Sequence, residues 1–473
     1  MPALNPSQPP GSPGDPGEPG ADPVVAALRA ALGAEAVRTE ADVCAPYAHD
    51  LTGRWQGTPR CVVRPRDTQG VAAAVAVCAE HGAPVVAQGG NTGLVGGQIP
   101  EADEVCVSLA GLDALEPVEA QTGEVVVGAG AVLSQVQQHV RRAGWDVPVD
   151  HGGRWGATIG GMVATNAGGA RAVRHGMMRA HVRGVEAVLA DGRVMRRLSG
   201  LRKDNTGYDL VGLLAGSEGT LGVLTRVRLG LVPWHARRLT ALAGVADLEA
   251  GASLLAALRA HAPTTLEAAD FLHRDGLELV CAHHGLADPL DAAWPVLVVA
   301  ELAGPGDLEA QLEGAITAAG IDPSAVVVAD APSQREALWT YRDGLNEAIA
   351  ARGVPVKLDV SVPPEALAST PEAVAHAVRA VDPRAWTLTF GHLGDGNVHV
   401  NVIGRAADED AIVTAVLDLI LARAGSVAAE HGVGVAKRAW VARARDPVEV
   451  DALRAIKRAL DPEGILAPGR LVP

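Results

Sequence analysis

The chain has 473 residues, with 55 acidic side chains against 40 lysines and arginines and a formal net charge of −15. At roughly 150 residues per domain this length points to two or three domains, enough to bury a site between them. The acidic balance argues against a general nucleic-acid binder, which needs a basic footprint to neutralise phosphates. The five cysteines occur singly and offer no Cys-x-x-Cys thiolate site, which fits buried thiols in a reducing compartment.

Residues 1–22 are so rich in Pro and Gly that they cannot bury enough apolar surface to offset ordering entropy, and a disordered tail is expected. From residue 60 the pattern alternates: "CVVRP" as strand, 67–82 as amphipathic helix, "PVVAQ" as strand, then the glycine-dense loop "QGGNTGLVGG" at 88–97. A strand "GEVVVGAG" precedes the helix "AVLSQVQQHVRRAG", and "VRGVEAVLADGRVMRR" reads as a hairpin turned by Asp191-Gly192. After "RVRLGLVPWHA" the composition shifts to Ala- and Leu-rich helices between short strands, and a domain boundary is expected near residue 235. The C-terminal segment reads as a helix stopped by Asp461-Pro462 and an extended tail. No stretch reaches the roughly 18 apolar residues of a membrane span, and the N-terminus lacks a basic and apolar signal pattern, so a soluble cytoplasmic protein is expected.

"VVVGAGAVLSQV" invites a dinucleotide reading, but Leu133 stands where the third glycine of G-x-G-x-x-G belongs, which disfavours it. The loop at 88–97 is different in kind. Its five glycines permit close backbone approach and Asn91 and Thr92 add polar groups, so several N–H groups can turn onto a pyrophosphate. Further glycine clusters, each with Thr or Asn, follow at 156–176 and 204–225. Any one could be a tight turn; three together favour a large phosphate-bearing cofactor.

The stretch "GHLGDGNVHVNV" at 391–402 carries two histidines around Asp395-Gly396. Taking Asp-Gly as a two-residue turn sets Gly394 against Asn397, Leu393 against Val398 and His392 against His399, with Asn401 on the same face. Directly opposed imidazoles are close enough to share a divalent ion. Alone, the pair reads more readily as two satisfied histidines in a polar turn. "AAEHGVG" changes the balance, because Glu430 can complete a two-histidine, one-carboxylate set and leave His431 for another task.

In the order they occur, these motifs resemble the vanillyl-alcohol oxidase superfamily, and over residues 40–473 its branch of FAD-dependent D-2-hydroxyacid dehydrogenases, with D-2-hydroxyglutarate and D-lactate dehydrogenases nearest. The resemblance implies an α+β fold: a two-subdomain FAD-binding domain at 23–235, a cap domain with a helix-layered antiparallel sheet at 236–450, and a helix and tail at 451–473 returning to the first domain. It implies noncovalent FAD on Gly89, Gly90, Asn91, Thr92, Gly93 and Leu94, with Thr158, Gly161, Thr165, Asn166, Glu218, Gly222 and Asn397 as further contacts. It places a divalent metal, zinc before manganese or iron, on His392, His399 and Glu430, and the catalytic base at His431.

Arg342 and Lys357 occupy positions that resemble the family's substrate contacts, with Asn346 and Asn401 expected beside them, and a guanidinium is suited to holding a carboxylate. Asn346 stands where related enzymes tend to have Thr and Leu358 where Tyr is common, departures that bear on substrate identity. The reaction implied is oxidation of a D-2-hydroxy acid, D-2-hydroxyglutarate by preference and D-lactate or glycolate as the alternatives, to the 2-oxo acid. Electrons would pass on to an electron-transfer flavoprotein, a quinone or a cytochrome, and peripheral association with the membrane respiratory chain is an alternative to a purely cytoplasmic location. A homodimer is the assembly considered. Outside this class, a flavin-free metal-binding protein or hydrolase would also carry a histidine hairpin, and would be colourless.

Overall fold

The structure, a computed structural model, describes residues 22–404 and 408–472. The tail expected over residues 1–22 lies outside the described residues apart from Asp22, whose Oδ1 caps the helix Pro23–Leu32 by accepting the N–H of Val24 at 2.9 Å.

Two four-stranded sheets build the N-terminal half. β1 (Val37–Arg38), β2 (Cys61–Val63), β3 (Val85–Gln88) and β4 (Val105–Ser108) order as β1-β2-β4-β3, the last three parallel. Strands that read as unbroken valine runs are those buried on both faces, and these are. The crossover helix Thr68–Glu80, capped by Asp67, supplies the parallel connection. β5 (Glu124–Gly128) is followed by β6 (Trp145–Asp146), β7 (Val182–Val188), β8 (Val194–Arg197), β9 (Val223–Gly230) and β10 (Val232–Pro233); β5-β9-β7-β8 form an antiparallel sheet and β6 pairs with β10. The Gly128 and Gly130 positions of the disfavoured dinucleotide motif are packing points. A Cβ at either would meet the carbonyl oxygens of Leu112 and Leu109 at 1.9 and 2.0 Å.

A seven-stranded antiparallel sheet follows: β11 (Arg238–Val245), β12 (Leu266–His273), β13 (Val296–Ala303), β14 (Val326–Ala329), β15 (Val356–Ser361), β16 (Trp386–His392) and β17 (Asn397–Ile403), in the order β14-β11-β13-β12-β16-β17-β15. Helices Leu248–His261, Leu308–Ala318, Thr370–Val381 and Glu409–Ala422 bury an apolar core on one face. On the other, Pro332–Asp343 and Leu345–Ala350 leave part of the sheet open toward the first half. The chain then returns. After the helix Pro447–Leu460, Ile465 and Ala467 join the edge of β3 through Val85, with hydrogen bonds of 2.7 Å each way.

The hairpin register differs from the one the sequence suggested. His392 pairs with Asn397, Gly391 with Val398 and Phe390 with His399, so residues 393–396 all lie in the turn. Leu393 is the cause: its side chain is drawn into the helix-covered core and its N–H donates to the Ala269 carbonyl at 2.9 Å. The histidines are therefore diagonal neighbours on one face, ring centroids 5.3 Å apart, instead of directly opposed.

The described residues contain no helix long and apolar enough to cross a membrane, and all five cysteines are unpaired.

Candidate active site

Because side chains alternate along a strand, the register arranges the open face of β12, β16, β17 and β15 in rows. Asp270, His392 and Asn397 make one, Phe390, His399 and Asp359 the next, Leu388, Asn401 and Lys357 the third. Each functional side chain thus sits on a rigid strand beside a partner set by pairing. The loop 430–434 lies over this face and brings Glu430 and His431 to it.

The three proposed metal ligands come together: ligand atoms of His392, His399 and Glu430 lie within 4.8 Å of one another. Asp270 fixes His392 by accepting its Nδ1–H at 2.6 Å, which leaves Nε2 facing Glu430 Oε1 at 3.7 Å. Asp359 stands 3.4 Å from His399 Nδ1 and accepts the backbone N–H groups of Glu430 at 2.7 Å and His431 at 2.9 Å. Glu430 Oε1 is buried without a hydrogen-bond partner, and burial pushes this carboxyl up to about 7. Burial opposes charge on His392 as well, yet Asp270 and Glu430 outweigh it and raise the ring to about 9. An orphaned carboxylate oxygen and two imidazoles oriented from behind fit a divalent cation.

His431 stacks on His399, centroids 5.6 Å apart and planes 12° from parallel, and burial lowers it to about 4, so the ring is neutral at physiological pH. Facing Asp270, Arg342 is buried, with Nε 3.0 Å from Asp270 Oδ2 and its guanidinium 4.5 Å over the Phe390 ring. Lys357 Nζ donates to Asn346 Oδ1 at 2.8 Å; burial, and Arg342 in second place, lower it to about 8. No carboxylate among the described residues pairs with Lys357. Both amide atoms of Asn401 are buried and unpartnered on the same face.

These residues line one wall of a single cavity of about 920 Å³, at the upper end of ligand sites that run from roughly 300 to 1,000 Å³. The opposite wall is built from the glycine clusters. Gly89, Gly90, Asn91, Thr92, Gly93, Leu94, Thr158, Gly161, Thr165, Glu218 and Gly222 all face it. A Cβ at Gly89 would meet Thr158 Oγ1 at 2.3 Å and one at Gly90 the Gly156 carbonyl at 1.7 Å, so the first two clusters pack backbone to backbone and turn bare main chain toward the cavity. Asn91, in the left-handed region at φ 54°, holds a buried Oδ1 without a partner there. A long, main-chain-lined cradle running from this loop to the histidines fits a dinucleotide such as FAD.

Two residues expected at the cofactor do not line the cavity. Asn166 ends the helix Ile159–Thr165 at φ 52° and its Oδ1 accepts the Arg179 N–H at 2.8 Å. Asn397 is buried behind the histidines and donates its amide to Asp359 Oδ1 at 2.7 Å and the Val360 carbonyl at 2.9 Å. Sequence reasoning missed Asp270 and Asp359, whose signal was an acidic residue inside an apolar strand in "LEAADFLH" and "VKLDVSV". It also missed His151, which lines the cavity and accepts the Gly153 N–H on Nδ1 at 3.1 Å.

Comparison with known proteins agrees with this geometry. The family described as "FAD linked oxidases, C-terminal domain" matches residues 235–471 and "FAD binding domain" matches residues 59–197. The chain belongs to the FAD-linked oxidase family and is an FAD-dependent oxidoreductase. It is 35% identical over 445 residues to the mitochondrial D-2-hydroxyglutarate dehydrogenase of Bos taurus, covering 92% of this chain and 81% of that one. It is likewise 35% identical to the D-2-hydroxyglutarate dehydrogenase of Xanthomonas citri pv. viticola, covering 95% and 97%. Among solved structures, p-cresol methylhydroxylase superposes with a TM-score of 0.74 at 18% identity over 94% of this chain and 96% of that one, a likeness of fold. The resemblance to the vanillyl-alcohol oxidase superfamily, and the two-part α+β architecture it implied, are borne out.

Proposed function

We propose that the chain oxidises a D-2-hydroxy acid, D-2-hydroxyglutarate by preference, to the 2-oxo acid. The observation that carries the substrate class is the pair of cations at one end of the histidine face: Arg342 and a Lys357 with no acidic partner, beside the unpartnered amide of Asn401. Two positive groups around a metal-binding face suit an acid with two carboxylates, and the names of the relatives support that choice.

Glycine loops 89–94 with Thr158, Gly161, Thr165 and Gly222 would hold FAD noncovalently, which would supply a hydride acceptor. A divalent ion on His392, His399 and Glu430, zinc by ligand type, would supply a Lewis acid to a bound hydroxyl. Arg342, oriented by Asp270 and Phe390, grips a substrate carboxylate, and Lys357 with Asn346 binds the distal one. His431, neutral and stacked on His399, accepts the hydroxyl proton on its ring nitrogen. Asp359 fixes that ring in place through its backbone N–H. The cavity wall of bare glycine backbone opposite excludes water once filled. The electron acceptor we propose is an electron-transfer flavoprotein, a quinone or a cytochrome.

The test is anaerobic: purified yellow protein is mixed with a panel of D- and L-2-hydroxy acids and flavin bleaching is followed. Rapid bleaching by the D-diacid supports the reading. Preference for D-lactate or glycolate overturns the diacid assignment, and bleaching by none of them overturns the hydroxyacid reading. Acid precipitation should leave the yellow colour in the supernatant, as noncovalent flavin requires.

A further inference from the structure

The loop carrying Glu430 and His431 is held from two sides by two carboxylates. From the cap sheet, Asp359 Oδ2 accepts the N–H groups of Glu430 and His431 at 2.7 and 2.9 Å. From the FAD-binding half, Glu218 Oε1 accepts the N–H of Val433 at 2.8 Å and Oε2 that of Gly434 at 2.7 Å. Four of five consecutive backbone donors are thus fixed, two to each half of the molecule.

The fit around Glu218 is close. Its backbone sits at φ 51°, a region few residues other than glycine adopt. A Cβ on Gly432, itself at φ 84°, would meet Glu218 Oε1 at 2.8 Å. The next residues, Val435 and Ala436, donate to the Val95 carbonyl of the first glycine loop at 3.0 and 3.2 Å. Resemblance suggested Glu218 as a flavin contact. It does line the cavity, but both of its oxygens are engaged by the metal-site loop.

We infer that Glu218 is a positioning residue for the metal centre: by capping Val433 and Gly434 it sets where Glu430 stands, so that the cation site is complete only when the two halves of the chain are docked. Charge-assisted hydrogen bonds from backbone N–H groups to a buried carboxylate are short and directional, and the pair with Asp359 leaves the Glu430-to-Gly434 segment little freedom. Metal affinity therefore depends on a residue that touches neither the metal nor its ligands. The inference rests on the metal reading above and adds where that site gains its geometry.

The experiment uses the FAD-loaded enzyme, stripped of metal and titrated with cobalt(II), whose visible ligand-field spectrum reports the coordination sphere directly. Affinity is read by chelator competition, and FAD content is measured in parallel. Glu218→Ala should retain FAD, lose about 10-fold or more in cobalt affinity, the scale seen when groups supporting metal ligands are removed, and show an altered spectrum. Glu218→Gln, isosteric and able to accept at one oxygen only, should fall between the two and partly restore the spectrum. If the alanine variant fails to fold or to hold FAD, the glutamine variant decides the matter. Affinity and spectrum equal to wild type in a folded, FAD-loaded variant overturn the inference alone. A wild-type chain that takes up no cobalt overturns the metal reading itself and this inference with it.

Discussion

Asp270 and His392 are direct cross-strand partners, and the carboxylate of one accepts the Nδ1–H of the other at 2.6 Å while its second oxygen faces Arg342 at 3.0 Å. One buried acid thus orients both a proposed metal ligand and a proposed substrate anchor. Asp270→Asn should lower metal affinity by about 10- to 100-fold, the range for such supporting carboxylates, and raise the substrate KM as Arg342 loses its partner. Metal titration and steady-state kinetics on the FAD-loaded variant check both effects; a loss confined to one would show that the two roles are separable.

His431 is the base in the proposed reaction, and general-base groups typically contribute about 100- to 10,000-fold. His431→Ala should leave FAD and metal stoichiometry intact while flavin reduction by the D-2-hydroxy acid slows by that factor. Stopped-flow bleaching under anaerobic conditions measures it. Unaltered reduction would remove His431 from the mechanism.

How much of this was legible beforehand follows from the range of the forces involved. The glycine clusters, the histidine pair and the Glu430-His431 dipeptide are visible because their chemistry sits in a few adjacent residues. Strand alternation with the expected Asp-Gly turn put His392, His399 and Asn401 on one face, and the two-residue shift in register leaves them there. The register was not local: the Asp-Gly pair would close a two-residue turn, but β12 captures the Leu393 N–H and the core captures its side chain, which widens the turn to four residues. Asp270 and Asp359 face the histidines only through pairing with other strands, and Glu218 meets residues 215 and 216 positions further on. Asn166 and Asn397 do not line the cavity, and backbone geometry brings them instead to the Arg179 N–H and to Asp359 and Val360.

Lys357 gives the site a basic limit. Burial, then the neighbouring Arg342 charge, lower its ammonium from 10.5 to about 8. Protonation is the anion-binding form, so affinity for a diacid should hold below that value and decline as pH rises through it. In the free enzyme kcat/KM for the diacid should therefore fall above about pH 8. Lys357→Arg, which stays charged throughout, should remove that limb; Lys357→Met should raise KM about 10- to 100-fold, from the 1.5 to 3 kcal/mol typical of a charged hydrogen bond. A pH series of both variants against wild type distinguishes this from titration of the substrate.

Docking of the two halves has its own ionic element. Glu267 on β12 lies 3.5 Å from Arg171 and 3.6 Å from Arg238, and it also pairs with Arg174; Arg171 in turn meets Asp146 at 2.8 Å. Burial favours the neutral acid, but His175, Arg171 and Arg238 outweigh it and lower Glu267 from 4.5 to about 2. A depressed folded-state pKa contributes stability above the unfolded value and loses it as pH falls through the folded one, here between about 4.5 and 2. Glu267→Gln should destabilise by about 3 kcal/mol at pH 7, as expected when one member of a buried ionic group is removed. Its melting temperature should also fall less steeply than wild type between pH 5 and 3, which scanning calorimetry at stepped pH would show.

Gly168 offers a steric test of the proposed metal carboxylate that replaces none of the proposed ligands. A Cβ there would stand 2.6 Å from Glu430 Oε1, 3.1 Å from its Cδ and 3.2 Å from its Cγ. The clash is with the end of a flexible side chain, and the backbone at Gly168 is not in the left-handed region, so Gly168→Ala should fold normally and push the Glu430 carboxylate aside. The variant should keep stoichiometric FAD and an unchanged melting temperature, while metal content after dialysis falls and bleaching by substrate slows in proportion. Glu430→Gln would lose the same function by removing the charge. If Gly168→Ala retains full metal occupancy, Glu430 has room to move without leaving the cation, and its fixed position in the site is disproved.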